Sequence, residues 1–106
     1  WDTAVGGHIS DGETLDTALK RETAEEIGLT GFSARFLKKY TWKSDVENEL
    51  VYMFVSHDYK GVSVQSPEVD ELRFWTKNEI ERTLGKGVFT PNLEHDYALL
   101  KEEKLL

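Results

Sequence analysis

The stretch Thr14–Ile27 constrains this chain more than any other. At roughly 100° per residue, a helix there puts Leu15, Ala18 and Leu19 on one face. One or two turns further on, the same face reaches Glu22 and Glu26, with Glu25 beside them. Three carboxylates thus continue a stripe where an amphipathic helix would place more Leu or Ala. Like charges three or four residues apart repel, by roughly 0.2–0.5 kcal/mol per pair in isolated helices. They also stand near the helix C-terminus, the unfavourable end of the macrodipole for anions. Local rules broken together at one place mark a functional site. Clustered carboxylate oxygens suit a hard divalent cation such as Mg²⁺, which commonly adds water and substrate phosphate to a few protein ligands. Arg21 can hold a neighbouring carboxylate through bidentate hydrogen bonds. The competing reading is a solvated acidic face paired with Lys20 and Arg21.

The spacing separates these readings. Gly7, five residues, Glu13, seven residues, then Arg21-Glu22-Thr23-Ala24-Glu25-Glu26-Ile27-Gly28-Leu29 resembles the Nudix hydrolase signature G-x5-E-x7-R-E-U-x-E-E-x-G-U, where U is a bulky apolar residue. All seven fixed positions agree. At a generous frequency of about one in ten per position, chance gives roughly one match in ten million placements. Thr23 departs from the pattern at a U position but keeps a β-branched shape.

The resemblance implies an α+β fold, a Nudix-type α/β/α sandwich around a mixed sheet, with the box as loop–helix–loop. It also implies that Glu22, Glu25 and Glu26 bind metal, joined by the Gly7 carbonyl. Arg21 would orient the carboxylates, Glu13 would support the loop, and Gly28 would serve the exit turn. The cofactor would be Mg²⁺, with Mn²⁺ able to replace it, and the substrate a small molecule with a diphosphate linkage. Glu22 and Glu25 thereby become catalytic as well as metal-binding candidates. A water positioned by the metal would attack phosphorus.

The upstream stretch Trp1-Asp2-Thr3-Ala4-Val5-Gly6-Gly7-His8 is similar to isopentenyl diphosphate isomerases, Nudix relatives that rearrange a double bond without hydrolysis. Those isomerases place a cysteine before the Gly-His pair. Here that place is Gly6, and the chain has no cysteine. The expectation is therefore isomerase-like ancestry with hydrolase chemistry. An isomerase and a non-catalytic Nudix-like binding module are the alternatives. His8 reads either as a loop histidine bonded to backbone or as a metal or phosphate contact.

Outside the box, Ser66-Pro67-Glu68-Val69-Asp70-Glu71 resembles the loop where many members keep a further carboxylate. Glu71 is the candidate base or ligand, Glu68 its substitute, and a solvated acidic turn the plain alternative. Trp75 reads as core. Trp42, Tyr40 and Tyr52 fit either strand packing or stacking on a base. His57 and His95 carry no interpretable spacing.

The remaining elements follow from local signals. Thr3–Val5 is β-prone and stopped by Gly6-Gly7. Thr14 is the expected N-cap of the acidic helix and Gly28 its stop. Ser33–Lys43 and Glu49–His57 predict a hairpin around a polar turn over 44–48. Gly61–Gln65 and Leu72–Trp75 are further candidate strands. Thr76-Lys77-Asn78-Glu79 predicts a capping box and a helix to about Leu84. Thr90-Pro91 opens a last helix to about Lys104.

With 106 residues the chain holds one domain, 1–106, and no second one. It begins mid-element at Trp1, so an N-terminal part supplying at least one more strand is expected to be missing. The net charge of −7 argues against a nucleic-acid polymer as partner. No apolar run is long enough to cross a bilayer, and the absence of cysteine fits a cytoplasmic location. Oligomeric state and the choice of diphosphate substrate are not encoded in any of these features.

Overall fold

The computed structural model describes residues 1–46, 48–57 and 60–104. Its elements run α1 (Leu15–Ile27), β1 (Arg35–Lys43), β2 (Asn48–Val55), α2 (Lys77–Thr83) and α3 (Pro91–Glu102). It is an α/β fold with three helices and one antiparallel pair of strands among the described residues.

The helix boundaries follow the side chains at their ends. Thr14 accepts the Thr17 N–H and opens α1, while Gly28 closes it in the left-handed conformation at φ 69°. Thr76 and Glu79 form the full capping box of α2. Thr90 caps α3, with Pro91 at its first turn. The last helix ends at Glu102, two residues before its expected limit, and Lys104 turns to φ 57°.

The hairpin forms as the alternation predicts, pairing Lys43 with Asn48, Trp42 with Glu49 and Tyr40 with Val51. Glu47, part of the expected turn, lies outside the described residues. A bulge between Phe36 and Lys38 shifts the register. One extra residue reverses the side-chain alternation beyond it. Phe36 therefore joins Phe54 and Tyr52 on one face, at ring separations of 5.5 and 6.4 Å. Tyr40, Trp42 and Glu49 share the other face, which meets α3. There the Tyr40 hydroxyl donates to Asp96 at 2.5 Å, and Lys38 pairs with Glu103. Burial and the Asp96 carboxylate both push the Tyr40 hydroxyl well above the ordinary tyrosine range.

Three expected strands do not form among the described residues: Thr3–Val5, Gly61–Gln65 and Leu72–Trp75. Of the expected mixed sheet, the described residues form one antiparallel pair. A strand exists only through a ladder partner, and the segment 61–65 spends its backbone groups elsewhere. Ser63 and Gln65 donate their N–H groups to the carbonyls of Ile27 and Glu26, closing the end of α1 rather than a sheet. Trp1 is held by Thr90, its carbonyl accepting the Thr90 N–H at 2.8 Å. Trp75, expected in the core, is half-buried at its margin. It packs edge-on against Trp1 and Phe89, with the Arg73 guanidinium 3.6 Å from its ring centre.

The buried set is small: Ala18, Thr23, Ile27, Leu29, Phe89 and Tyr97. Thr23, the residue that departs from the box pattern, is buried and donates its hydroxyl to the Leu19 carbonyl at 2.7 Å. That bond satisfies the one polar atom that a bulky apolar residue would not bring.

The exit turn of α1 supplies a test. A Cβ on Gly28 would combine left-handed backbone with a 2.9 Å approach to Gln65 Cγ. Gly28→Ala is expected to lower unfolding free energy by about 1–2 kcal/mol in denaturant titration. An unchanged midpoint would contradict this account of the turn.

Candidate active site

The acidic helix brings its carboxylates to one side, against the loop that precedes it. Arg21 joins the two. Its Nε and Nη2 donate to the two oxygens of Glu13, both at 2.8 Å. Its Nη1 donates to Glu22 Oε1 at 2.9 Å and to Glu25 Oε2 at 3.3 Å. Nη2 also reaches the His8 carbonyl at 3.2 Å and Ser10 Oγ at 3.4 Å. Glu13 in turn accepts the Ser10 N–H at 2.9 Å. One guanidinium therefore ties the loop 8–13 to the helix and sets the direction of Glu22. The fork to Glu13 and the Ser10 N–H hold the Glu13 carboxyl down to about 2, from an ordinary value of 4.5. The same bond to Glu13 raises the Arg21 pKa.

Gly7 lies directly beside Glu22. A Cβ there would stand 2.3 Å from the Glu22 carboxyl carbon and 2.6 Å from Oε2. Only glycine lets the loop backbone come this close without moving the carboxylate.

Glu26 is one turn further along. Its Oε2 is buried and has no hydrogen-bond partner. Burial and the charges of Glu22, Glu68 and Glu25 raise its pKa, while a backbone hydrogen bond from Gly6 works the other way. A partly buried carboxylate with a bare oxygen and three anionic neighbours lacks a positive partner.

Arg21, Glu22 and Gly7 border an open cleft of about 490 Å³. Its walls include Gly6, Gly7, His8, Arg21 and Glu22, together with three acids from elsewhere: Asp2, Glu49 and Glu68. Thr90 fixes Asp2 by donating its hydroxyl to Oδ1 at 2.9 Å. Glu49 arrives on β2, opposite Trp42. The turn at Ser66, closed by the Val69 N–H on the Ser66 carbonyl, presents Glu68.

The box residues are thus together, with one distinction. Glu25 is directed at Arg21 and its side chain is 58% exposed, whereas Glu22 is 20% exposed. Glu71 is exposed and outside the cleft lining. Glu68, three residues earlier, is exposed too but lines the cleft. His8 is at the cleft through its backbone, and its carbonyl accepts from Arg21. His57 is exposed and away from the cleft. Asp2 and Glu49 were not singled out by sequence. An acid following Trp1 and an acid alternating with strand residues both look like ordinary surface charge, and only the folded loop and hairpin bring them to the helix.

Among the described residues, no three carboxylates or imidazoles converge closely enough to enclose a cation by themselves. The donor set still fits one. Glu22 lines the cleft, the bare Glu26 oxygen belongs to a carboxylate that feels the Glu22 charge, and Mg²⁺ commonly takes one or two carboxylates and completes its shell with water and phosphate.

A family model, the NUDIX domain, matches residues 1–93. The chain belongs to the Nudix family. An uncharacterised Nudix hydrolase of Listeria monocytogenes is 33% identical over 97 residues, covering 86% of this chain and 54% of that protein. One from Streptomyces coelicolor is 30% identical over 105 residues, covering 95% and 57%. An NAD-capped RNA hydrolase of Mycobacterium tuberculosis is 26% identical over 102 residues, covering 96% and 30%. This Nudix chain spans about half the length of the Listeria and Streptomyces relatives. No solved structure matches it. No helix among the described residues is long and apolar enough to cross a membrane.

The Arg21–Glu13 fork predicts a pH signature. Because folding lowers the Glu13 pKa, its contribution is full above the ordinary carboxylate value and is lost as pH falls from about 4.5 to about 2. Glu13→Gln is expected to flatten the fall in stability across that window, measured as unfolding midpoint against pH. Identical acid limbs in the two proteins would contradict the assignment.

Proposed function

We propose that this chain is the catalytic domain of a divalent-metal-dependent hydrolase that splits a diphosphate linkage in a nucleoside diphosphate derivative. The observation that carries the reading is the buried, unpartnered Glu26 oxygen beside Glu22 and Glu68. A carboxylate helix built only for solubility would leave that oxygen in water.

In this reading Glu22 and Glu26 are the principal ligands, with Glu25 and the Gly7 carbonyl completing the protein's share. Mg²⁺ or Mn²⁺ bound there would neutralise charge on the diphosphate oxygens and acidify a water. Arg21 keeps Glu22 Oε1 engaged, so that Oε2 is left for the cleft. Gly7 lets the substrate-side backbone approach that carboxylate. Glu68 is the carboxylate placed to accept a proton as water oxygen bonds to phosphorus and the bridging P–O bond breaks. The leaving phosphate carries away the electron pair of that bond.

The family's α/β/α sandwich is the proposed setting for the domain, and the cytoplasm its proposed location. A dinucleotide-type substrate is supported by the Mycobacterium relative, whose name gives NAD-capped RNA as what it acts on. The net charge of −7 favours the small-molecule end of that class over a long polynucleotide. Hydrolysis is favoured over isomerisation because Gly6 stands where the isomerases carry cysteine.

Phosphate release from a panel of diphosphate compounds, with and without Mg²⁺, is the direct test. Glu26→Gln is expected to remove nearly all turnover while the protein stays folded, since the change relieves repulsion. Full turnover in that variant, or in excess EDTA, would refute the metal assignment.

The loop acids give a second test. Glu68→Gln is expected to lower kcat at least tenfold with little change in KM, whereas Glu71→Gln changes kcat less than twofold, by the difference between a group that acts in the transition state and one in solvent. The reverse ranking would return the catalytic role to Glu71. Incubation with isopentenyl diphosphate is expected to yield no dimethylallyl diphosphate.

A further inference from the structure

The loop that carries Glu68 is built onto the end of the carboxylate helix. The last carbonyls of a helix lack partners within it. Here the Glu26 carbonyl accepts the Gln65 N–H at 3.1 Å, and the Ile27 carbonyl accepts the Ser63 N–H at 2.9 Å. The Gln65 side chain lies over Gly28 and donates its Nε2 to Ser63 Oγ at 2.7 Å. Glu26 thus carries a candidate metal-binding carboxylate on its side chain and holds the loop by its carbonyl. One residue further, Ser66-Pro67-Glu68-Val69 closes a β-turn. The Ser66 carbonyl accepts the Val69 N–H at 3.0 Å, and Ser66 Oγ accepts the Glu68 N–H at 3.2 Å. Serine at the first position and proline at the second are residues that such a turn favours. Pro67 fixes its own φ, and the Ser66 hydroxyl fixes the next peptide. Ser66 is half-buried, whereas Glu68 is exposed, so its backbone sets where the carboxylate can reach. The Glu68 charge is nonetheless among those that raise the Glu26 pKa.

We propose that Ser66 is a positioning residue for the loop carboxylate: its hydroxyl holds the Glu68 peptide in the turn, and the bonds at Ser63 and Gln65 refer that turn to the backbone of Glu26. The inference rests on the reading of Glu68 as proton acceptor and adds what keeps it in place. A proton acceptor must keep its distance from a water held by ligands on a different element. A misplacement of about 1 Å can cost on the order of a hundredfold in rate. Main-chain bonds to the ligand-bearing residue itself make the helix end and the loop acid shift together. Without the hydroxyl bond, the Val69 N–H alone closes the turn, and the Glu68 peptide gains freedom to tilt.

The test is steady-state kinetics on the diphosphate compound that the wild type splits fastest, with Mg²⁺ saturating. Ser66→Ala is expected to lower kcat about tenfold and to move KM by less than about twofold. Ser66→Thr keeps the hydroxyl and is expected to hold wild-type turnover. In a Glu68→Gln background the same Ser66→Ala change is expected to cost nothing further, because the group it positions is gone. Mn²⁺ affinity, which reads the helix carboxylates, is expected to stay at the wild-type value in Ser66→Ala. Wild-type kcat in Ser66→Ala, an equal loss in Ser66→Thr, the same factor lost in both backgrounds, or a parallel loss of Mn²⁺ affinity would each overturn the positioning role. The two readings fail separately. Glu68→Gln with wild-type turnover would sink the assignment of Glu68. A loss in Glu68→Gln with none in Ser66→Ala would leave that assignment standing and sink only the role of Ser66.

Discussion

The arrangement depends on Arg21. Its planar guanidinium offers five donors in a fixed fork, and here it satisfies Glu13, Glu22, Glu25, the His8 carbonyl and Ser10 at once. A lysine could supply the charge but not the two parallel bonds to Glu13. Without the fork, the loop 8–13 would lose its attachment to α1, and Glu22 would be free to swing away from Gly7. The acids remain close together because one of them, Glu13, is bound tightly to this cation and a second, Glu22, is half bound. The unpaired excess is concentrated on Glu26, whose environment raises its pKa. A structural ion pair at one end of the cluster thus leaves an electrostatic deficit at the other, where a divalent ion would be useful.

The fold around this network is economical. Few side chains are buried, and the largest of them, Phe89 and Tyr97, belong to α3 and the segment before it. The same segment holds Trp1 and Asp2, so the beginning of the chain, the start of α3 and the cleft wall are joined through Thr90. The hairpin meets α3 through Tyr40, Trp42 and Lys38 and delivers Glu49 to the cleft by strand alternation alone. Site and scaffold therefore share residues.

Much of this was legible in the sequence. Thr14, Gly28, Thr76 and Thr90 announced the helix ends because capping is a local interaction between a side chain and the next few N–H groups. The hairpin was legible because its alternation and polar turn are also local. The strands at Thr3–Val5, Gly61–Gln65 and Leu72–Trp75 were not, because β-propensity describes a surface waiting for a partner and cannot name one. The box acids were visible through the sum of apolar stripe, charge and spacing. Asp2, Glu49 and Glu68 required the tertiary path of a loop, a strand and a turn. Within one short acidic loop, Glu68 lines the cleft and Glu71 does not, a difference that spacing does not encode.

The central claim is that Glu22 and Glu26 hold a divalent cation in the cleft. Mn²⁺ titration followed by electron paramagnetic resonance tests it without a substrate. The account predicts saturable loss of the free-ion signal at about one ion per chain in the wild type. It also predicts at least tenfold weaker binding in Glu22→Gln and Glu26→Gln, with Glu71→Gln unchanged. Equal Mn²⁺ binding in all four proteins would contradict it.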